Sequence, residues 1–344
     1  MKQETLNIEN KTIPRLAFVG TGWIGINRMQ WLLDAGLCQV SSVMDISREN
    51  AEKAAGMAGT ADISRTFEEV VESRPDGIVI ATPSALHALQ SITALEHGIP
   101  VFCQKPLART AGESRQVIEA AQRNNCLLGV DMSYRFTHGI QQVFQAVQQK
   151  QLGHIFAADL VFHNAYGPDK DWFYNPELAG GGCLIDLGIH LLDLAMWIMD
   201  YPEISHVQSG LFSGGRTIAN PQKESEDYVT AQLITGDGSS INLSCSWNLP
   251  LGKDAEIKAA FYGEQASAIF TNTGGSFFNF ETRLCRGTQY DMLSQPPDDW
   301  GGRALASWAR RLQTDKSFNT EILDYLKVAA VIDRIYDSPL KRTQ

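Results

Sequence analysis

The sequence predicts an α/β Rossmann dinucleotide-binding domain joined to a C-terminal α+β domain with a mainly antiparallel open sheet. Three observations carry this expectation. Short apolar runs alternate with helical patterns up to about residue 132, a glycine-rich turn separates the first run from the first helix, and strands punctuated by turn signals follow Pro202. At 344 residues the chain is too long for one typical core, so two domains are expected, at 1–132 and 133–344. The final helix is free to pack back on the first of them.

The elements follow in order. Residues 16–20 read as a strand, and 24–35 as a helix with Ile24, Trp31, Leu32 and Ala35 inward. A second strand at 40–45 precedes a helical stretch at 49–58. Gly-Ile-Val-Ile-Ala at 77–81 is a buried strand, followed by a helix at 85–97 that Gly98 closes. Strands at 101–103 and 127–130 flank a helix at 111–124. Runs apolar on both faces, alternating with helices, describe a parallel sheet covered on both sides. Beyond 132, helical stretches at 137–150 and 182–199 surround a strand at 154–163. Alternating segments at 228–234, 240–247, 257–262 and 268–270 are separated by turns such as Gly236-Asp237-Gly238 and Thr273-Gly274-Gly275. Helices at 302–313 and 319–337 end the chain.

Composition narrows the function. The formal net charge is −10 and the basic residues are scattered, which argues against a nucleic-acid partner. No run reaches the roughly 18–20 apolar residues of a membrane span, and the first ten residues lack the apolar core of a signal peptide. The six cysteines are widely spaced with no C-x-x-C pair, so neither a zinc knuckle nor a disulfide framework is expected. A reducing, cytoplasmic location follows as the expectation.

Gly20-Thr21-Gly22-Trp23-Ile24-Gly25 fits G-x-G-x-x-G between strand and helix, the context that gives the motif meaning. The glycines allow a tight turn, close approach to a pyrophosphate and helix-on-strand packing. The second strand ends at Asp45, twenty residues after Gly25, where a carboxylate can accept from ribose hydroxyls and repel a 2′-phosphate. NAD is the expected cofactor, with NADP as the alternative. Arg48, just past that acid, either reaches a phosphate or adenine or is a solvated helix-start residue.

Lys105 follows the strand at 101–103, at the carboxyl edge where such sheets hold their ligands. The run Gly180-Gly181-Gly182…Asp186…His190 continues to Asp193, and Asp186 and His190, four apart, share a helical face. His190 could take a hydroxyl proton, Asp186 could orient the hydroxyl or hold the imidazole, and Lys105 could stabilise an alkoxide or carbonyl oxygen. A plain helix pair without chemistry is the bland alternative. A metal site through Asp186, His190 and Asp193 lacks a further ligand, and no metal is expected. The segment from His163 through Asn164, Tyr166 and Trp172 mixes rings with amide and carboxylate groups, a combination suited to a polyol.

These pieces, in this order, resemble the glucose–fructose oxidoreductase / inositol 2-dehydrogenase (Gfo/Idh/MocA) family over nearly the whole chain. The matching segments are 20–25, Ala-Thr-Pro-Ser-Ala-Leu-His at 81–87, Gln-Lys-Pro-Leu-Ala at 104–108, Tyr-Arg-Phe at 134–136 and the run at 180–190. The resemblance implies NAD-dependent hydride transfer on a sugar, sugar derivative or cyclitol, and a large open sheet that assembles dimers or tetramers. It implies that Thr82, Pro83, His87 and Gln104 line the cofactor site, with Trp23 and Ile24 in the glycine turn. It also implies that Lys105, Asp186 and His190 are the catalytic set, and that Tyr134 and Arg135 belong with Asn164, Tyr166 and Trp172 around the substrate. Two departures stand out. Gln104 replaces the family's usual glutamate before Lys105. Trp172-Phe173 stands where many relatives carry Trp-Arg, which argues against a strongly anionic substrate. Two alternatives remain: a redox-neutral, NAD-dependent glycoside hydrolase and a non-catalytic dinucleotide-binding regulator.

Overall fold

The computed structural model describes residues 12–59 and 61–339. Six parallel strands form the first sheet: β1 (Arg15–Val19), β2 (Gln39–Met44), β3 (Asp62–Ile63), β4 (Gly77–Ile80), β5 (Val101–Cys103) and β6 (Leu128–Val130), ordered β3-β2-β1-β4-β5-β6. The order reverses between β1 and β4, which opens a crevice at their carboxyl ends. Alternate residues face opposite layers. Ala17, Val19, Ile78, Ile80 and Val101 pack under α3 (Phe67–Glu72), α4 (Ser84–Glu96) and α5 (Ala111–Arg123). Leu16, Phe18, Val79 and Phe102 pack under α1 (Trp23–Asp34) and α2 (Arg48–Ala58). Side-chain caps start three of these helices, with Ser47 accepting from the Asn50 amide, Thr66 from the Glu69 amide and Thr110 from the Glu113 amide. Neither β3 nor α3 was expected from sequence, because two and six residues carry too little periodicity to stand out.

The second half begins with α6 (His138–Gln148), β7 (Ile155–Asn164), the single turn α7 (Pro176–Ala179) and α8 (Ile189–Ile198). Eight strands follow: β8 (Ile204–Ser213), β9 (Arg216–Thr217), β10 (Tyr228–Thr235), β11 (Ser240–Ser246), β12 (Ala255–Gly263), β13 (Ser267–Asn272), β14 (Phe280–Arg286) and β15 (Gln289–Ser294). The nine-stranded sheet runs β15-β14-β13-β12-β7-β11-β10-β8-β9, antiparallel throughout except for the central β7–β11 pair. One face carries Leu160, Phe162, Ala231, Leu233, Leu243 and Ile257 into the core beneath α8. The other presents Thr230, Gln232 and Asn242 to solvent. The helix expected over 182–199 is divided. Leu184–Gly188 winds as a π-helix before α8 begins, and the glycine triplet stays outside both. Such a wide turn re-aims side chains without ending the helix.

Two helices end the chain, the first closing back on the first sheet and the second packing against α5, α8 and β8. On α9 (Arg303–Leu312), Leu305, Trp308 and Leu312 share a core with Leu16, Phe18 and Phe102. Gly77 and Gly129 make room for the Trp308 indole, since a Cβ at either would lie 2.6 or 2.7 Å from it. On α10 (Tyr325–Asp337), the Tyr325 hydroxyl accepts from the Leu107 amide at 2.9 Å and Asp333 from the Ala111 amide at 3.0 Å. The stretch Pro176–Ile198 is long and apolar enough to cross a bilayer by length and composition, yet it is mostly buried inside the fold.

Candidate active site

The glycine turn is shaped for a dinucleotide. Gly20 has φ +85°, and a Cβ there would lie 2.5 Å from the Ala81 carbonyl; a Cβ on Gly25 would lie 2.0 Å from the Gly20 oxygen. Nothing stands within 4 Å of where a Cβ on Gly22 would be, at the N-terminus of α1. Two glycines thus close the turn and the third leaves its outer side open, a cradle that fits a pyrophosphate against the helix N-terminus. Asp45 lies just past β2. One of its oxygens accepts from the Thr21 amide (2.7 Å) and hydroxyl (3.2 Å), the other from the Ser47 amide (2.8 Å). These three bonds hold the turn and leave the carboxylate room for about one further donor, such as a ribose hydroxyl. Arg48 is turned to solvent, 89% exposed, and pairs with Glu52 one helical turn on, which is the solvated alternative.

Lys105, Asp186 and His190 converge although 81 residues separate the first two. Lys105 Nζ donates to Asp186 Oδ1 at 2.7 Å and to the Asp186 carbonyl at 2.5 Å. The second carboxylate oxygen accepts from Trp247 Nε1 at 3.1 Å. Asp186 is therefore engaged by lysine and indole, with no hydrogen bond to the imidazole. His190 is buried, its ring 4.9 Å from that of Tyr134, and its Nδ1 has no partner within the chain. Burial and the nearby Lys105 and Arg28 charges push the imidazole well below its usual range. It is neutral at neutral pH, the form a proton acceptor needs. Asp193 does not join them. It is buried in a two-point ion pair with Arg135. Among the described residues no group of three or more His, Cys, Asp or Glu side chains is arranged to hold a metal.

Several side chains expected at the cofactor or substrate take other work. His87 is buried, its ring nitrogens each 2.7 Å from a carbonyl oxygen, those of Thr82 and Pro106. It ties the loop after β4 to the loop after β5 from beneath. Thr82, on that first loop, spends its hydroxyl on Gln90 at 2.7 Å; Pro83 stands at the N-cap position of α4 and makes no side-chain cap bond. Gln104 turns inward and donates to Asp131 Oδ2 at 2.6 Å, the same oxygen that Arg28 Nε reaches at 2.6 Å. A glutamate there would bring a second carboxylate to Asp131 in a buried place, so the amide answers a need for a donor. Arg135 pairs with Asp193 and lies over the Trp197 and Tyr201 rings, bracing α8. Tyr134 is buried between Phe162, Phe280, Trp300 and His190, a support for the imidazole.

Reasoning from sequence missed four participants. Trp247 follows β11 on its buried face and holds Asp186. Its signal was the core-facing alternation Ile241, Leu243, Cys245. Glu226 is wholly buried, and its carboxylate accepts from the amides of Gly182 (3.0 Å) and Leu184 (2.9 Å) and from the Tyr336 hydroxyl (2.9 Å). Burial pushes this carboxyl above its usual range, and the three donors pull it back. It pins the turn that starts the π-helical segment bearing Asp186. Trp300 and Phe278 sit on loops far along the chain, where no local pattern marks them. Around the convergent groups the walls are aromatic: Phe173 and Tyr174 pack edge-on against Trp247, and Trp172 stacks on Phe173 at 3.8 Å. Tyr166 is half exposed beside Phe277, and Asn164 Oδ1 is buried without a partner in the chain.

A doubly wound sheet with a glycine cradle at its switch point, and lysine, carboxylate and imidazole gathered at the same edge, defines a nicotinamide-dependent oxidoreductase. Comparison with known proteins names the family. Residues 14–132 match the model of an oxidoreductase family's NAD-binding Rossmann fold, and residues 140–269 match the GFO/IDH/MocA C-terminal domain. The chain belongs to the GFO/IDH/MocA family. Among its relatives, D-glucoside 3-dehydrogenase of Escherichia coli (strain K12) is 26% identical over 287 residues, covering 78% of this chain and 82% of the relative. An inositol 2-dehydrogenase of Cereibacter sphaeroides is 27% identical over 322 residues, 92% and 86% of the two chains. A levoglucosan dehydrogenase solved with NADH and levoglucosan shares the fold at a TM-score of 0.80, over 94% of this chain and 96% of that one, with 20% identity.

Proposed function

We propose that this protein is an NAD-dependent dehydrogenase that interconverts a hydroxyl and a carbonyl on a sugar, sugar derivative or cyclitol. The observation that carries the reading is the convergence of Lys105, Asp186 and His190 at the edge of the sheet that holds the glycine cradle. Relatives named as dehydrogenases of glucosides, inositol and levoglucosan support the substrate class.

When bound, the nicotinamide supplies a hydride acceptor or donor; Gly20, Gly22 and Gly25 would seat the dinucleotide and Asp45 would face its ribose. The rest of the chemistry belongs to the chain. Lys105, oriented by Asp186, presents its ammonium to the substrate oxygen and stabilises negative charge as the hydroxyl proton leaves. His190 accepts that proton in the oxidation direction and returns it in the reduction direction. Trp247 and Glu226 fix Asp186 from two sides, one by an indole N–H and the other through the turn before it. The aromatic walls exclude water and stack on the C–H faces of a ring substrate.

The assay is absorbance at 340 nm with NAD or NADP across glucosides, free sugars and inositols. NADH formation with one of these classes supports the proposal. Tight NAD binding without NADH formation from any of them overturns it. The open face of the nine-stranded sheet, with Thr230, Gln232 and Asn242 exposed along it, is proposed as the surface that pairs two copies. Light scattering at the mass of a monomer would remove that part. We assign the protein to the cytoplasm, in keeping with its free thiols.

A further inference from the structure

A series of rings links the glycine turn to the imidazole. The indole of Trp23, which follows Gly22 and opens α1, meets that of Trp300 with centroids 6.2 Å apart and planes at 67°. Trp300 lies on Tyr134 at 6.4 Å and 28°, and Tyr134 lies 4.9 Å from the His190 ring. A dinucleotide seated on the turn has to bring its nicotinamide to the hydroxyl that His190 serves. Its nicotinamide riboside half therefore spans the interval that the rings span.

The strand order gives the same half. In β3-β2-β1-β4-β5-β6, Asp45 follows β2 on one side of β1, where the adenosine ribose lies. Trp300 belongs to the other side. Tyr134 comes just after β6, and so does Asp131, which holds the Arg28 guanidinium 4.9 Å from the Trp300 ring centroid.

The two indoles are held unequally. Trp300 lies in the segment 295–302, which leaves β15 and enters α9. Its Nε1 donates to the Phe277 carbonyl at 2.9 Å. Two residues before it, the buried Asp298 accepts from the His138 and Gly139 amides at 2.8 and 2.7 Å and from Arg303 at 3.1 Å. Just after it, Gly302 lies against α1 so closely that a Cβ would come within 2.6 Å of the Trp31 indole. Trp300 is thus a fixed wall. Trp23 is 67% exposed, and an indole that open can turn about its χ angles without unpacking a core.

We infer that Trp300 and Trp23 are cofactor-binding residues that close on the nicotinamide riboside half of the dinucleotide. Trp300 is the wall that the second domain supplies, and Trp23 is the ring that turns against it. Both present a flat apolar face to a flat heterocycle, and release of the cofactor requires Trp23 to swing away. The inference rests on the cofactor cradle of the dehydrogenase reading and is independent of the sugar.

The test titrates NADH, and ADP, which lacks the nicotinamide riboside, into the unmodified protein and into Trp23→Ala, Trp300→Ala and Trp300→Phe by calorimetry. Stopped-flow fluorescence follows NADH release in parallel. Each alanine variant is expected to weaken NADH by about tenfold or more, with faster release, and to leave ADP affinity within about twofold. Trp300→Phe keeps a ring and is expected to recover most of the loss. Trp23 is exposed, so its removal spares the core, and Trp23→Ala decides the matter if Trp300→Ala does not fold. Unchanged NADH affinity and release in Trp23→Ala, or NADH and ADP weakened alike, overturns the inference. The titration needs no substrate, so a protein that binds NADH but forms none from any sugar defeats the dehydrogenase reading and leaves this one to the titration. Failure of the unmodified protein to bind either nucleotide overturns cradle and clasp together.

Discussion

Replacing His190 with alanine separates chemistry from cofactor binding. The imidazole Nδ1 has no partner within the chain, so its removal strands no buried donor or acceptor there. What is lost structurally is packing against Tyr134, 4.9 Å away between centroids. We expect a stability cost of about 2 kcal/mol, a fall in Tm on the order of 5 °C and a protein that still folds. The catalytic cost is larger. A positioned general base contributes roughly 10²–10⁴ in rate, or about 3–5 kcal/mol of barrier. The assay is stopped-flow absorbance at 340 nm, with NAD affinity followed in parallel by tryptophan fluorescence. The expected result is turnover lowered by about 10² or more, nearly unchanged NAD affinity, and partial recovery on adding imidazole. Turnover within about threefold of the unmodified protein would remove His190 from the mechanism. A matching loss of NAD affinity would make its role structural.

The same histidine sets a pH dependence. Burial and the Lys105 and Arg28 charges hold its folded pKa below the unfolded value of about 6.5, so the unfolded chain binds the extra proton first. Its stabilising contribution is full above pH of about 6.5 and declines below it, and the acid limb of kcat/KM lies lower still; an acid limb above neutrality contradicts the assignment. Gly25→Ala would press a methyl group within 2.0 Å of the Gly20 oxygen, and calorimetry should show NAD affinity reduced by about 10² or more; near-normal binding refutes the cradle. Asp45→Ala should raise kcat/KM with NADP relative to NAD by about tenfold and weaken both, because it also frees Thr21 and Ser47. An unchanged ratio of the two means the acid only holds the turn. Glu226→Ala leaves two amides and a buried hydroxyl unpaired, and we expect a cost of about 3 kcal/mol in denaturant unfolding together with reduced kcat. Glu226→Gln should recover part of both, and no recovery would mean the buried charge itself is required.

Much of the fold was legible because its strands and helices are long or strongly patterned. The first sheet followed from runs such as 77–81, apolar on both faces, and from glycines whose spacing has one structural use. In the second half the expected strands at 154–163, 228–234 and 240–247 match β7, β10 and β11. The parallel β7–β11 pair could not be read, since a chain direction depends on partners 70 or more residues away. The π-helical turn at 184–188 was equally hidden, because its residues suit an ordinary helix.

The site was legible where one residue type has one purpose and opaque where tertiary partners decide. Lys105, Asp186 and His190 converge as their positions at the sheet edge and on one helix suggested. Gln104, beside Lys105, and His87 and Arg135, on the segments that begin at Thr82 and Tyr134, spend their polar groups on Asp131, on two carbonyls and on Asp193. Nothing in their immediate sequence announces those partners. Glu226 and Trp300 reach the site from 40 and 114 residues beyond Asp186, through loops whose course only the fold determines.

The most direct test of the central claim is to follow a fully C-deuterated sugar substrate with protein and NAD by mass spectrometry and NMR. Hydride transfer predicts reduced cofactor carrying deuterium at the nicotinamide ring, one label per product carbonyl formed. Cleavage or exchange of the sugar with deuterium lost to water, and no label accumulating in the cofactor, would contradict it.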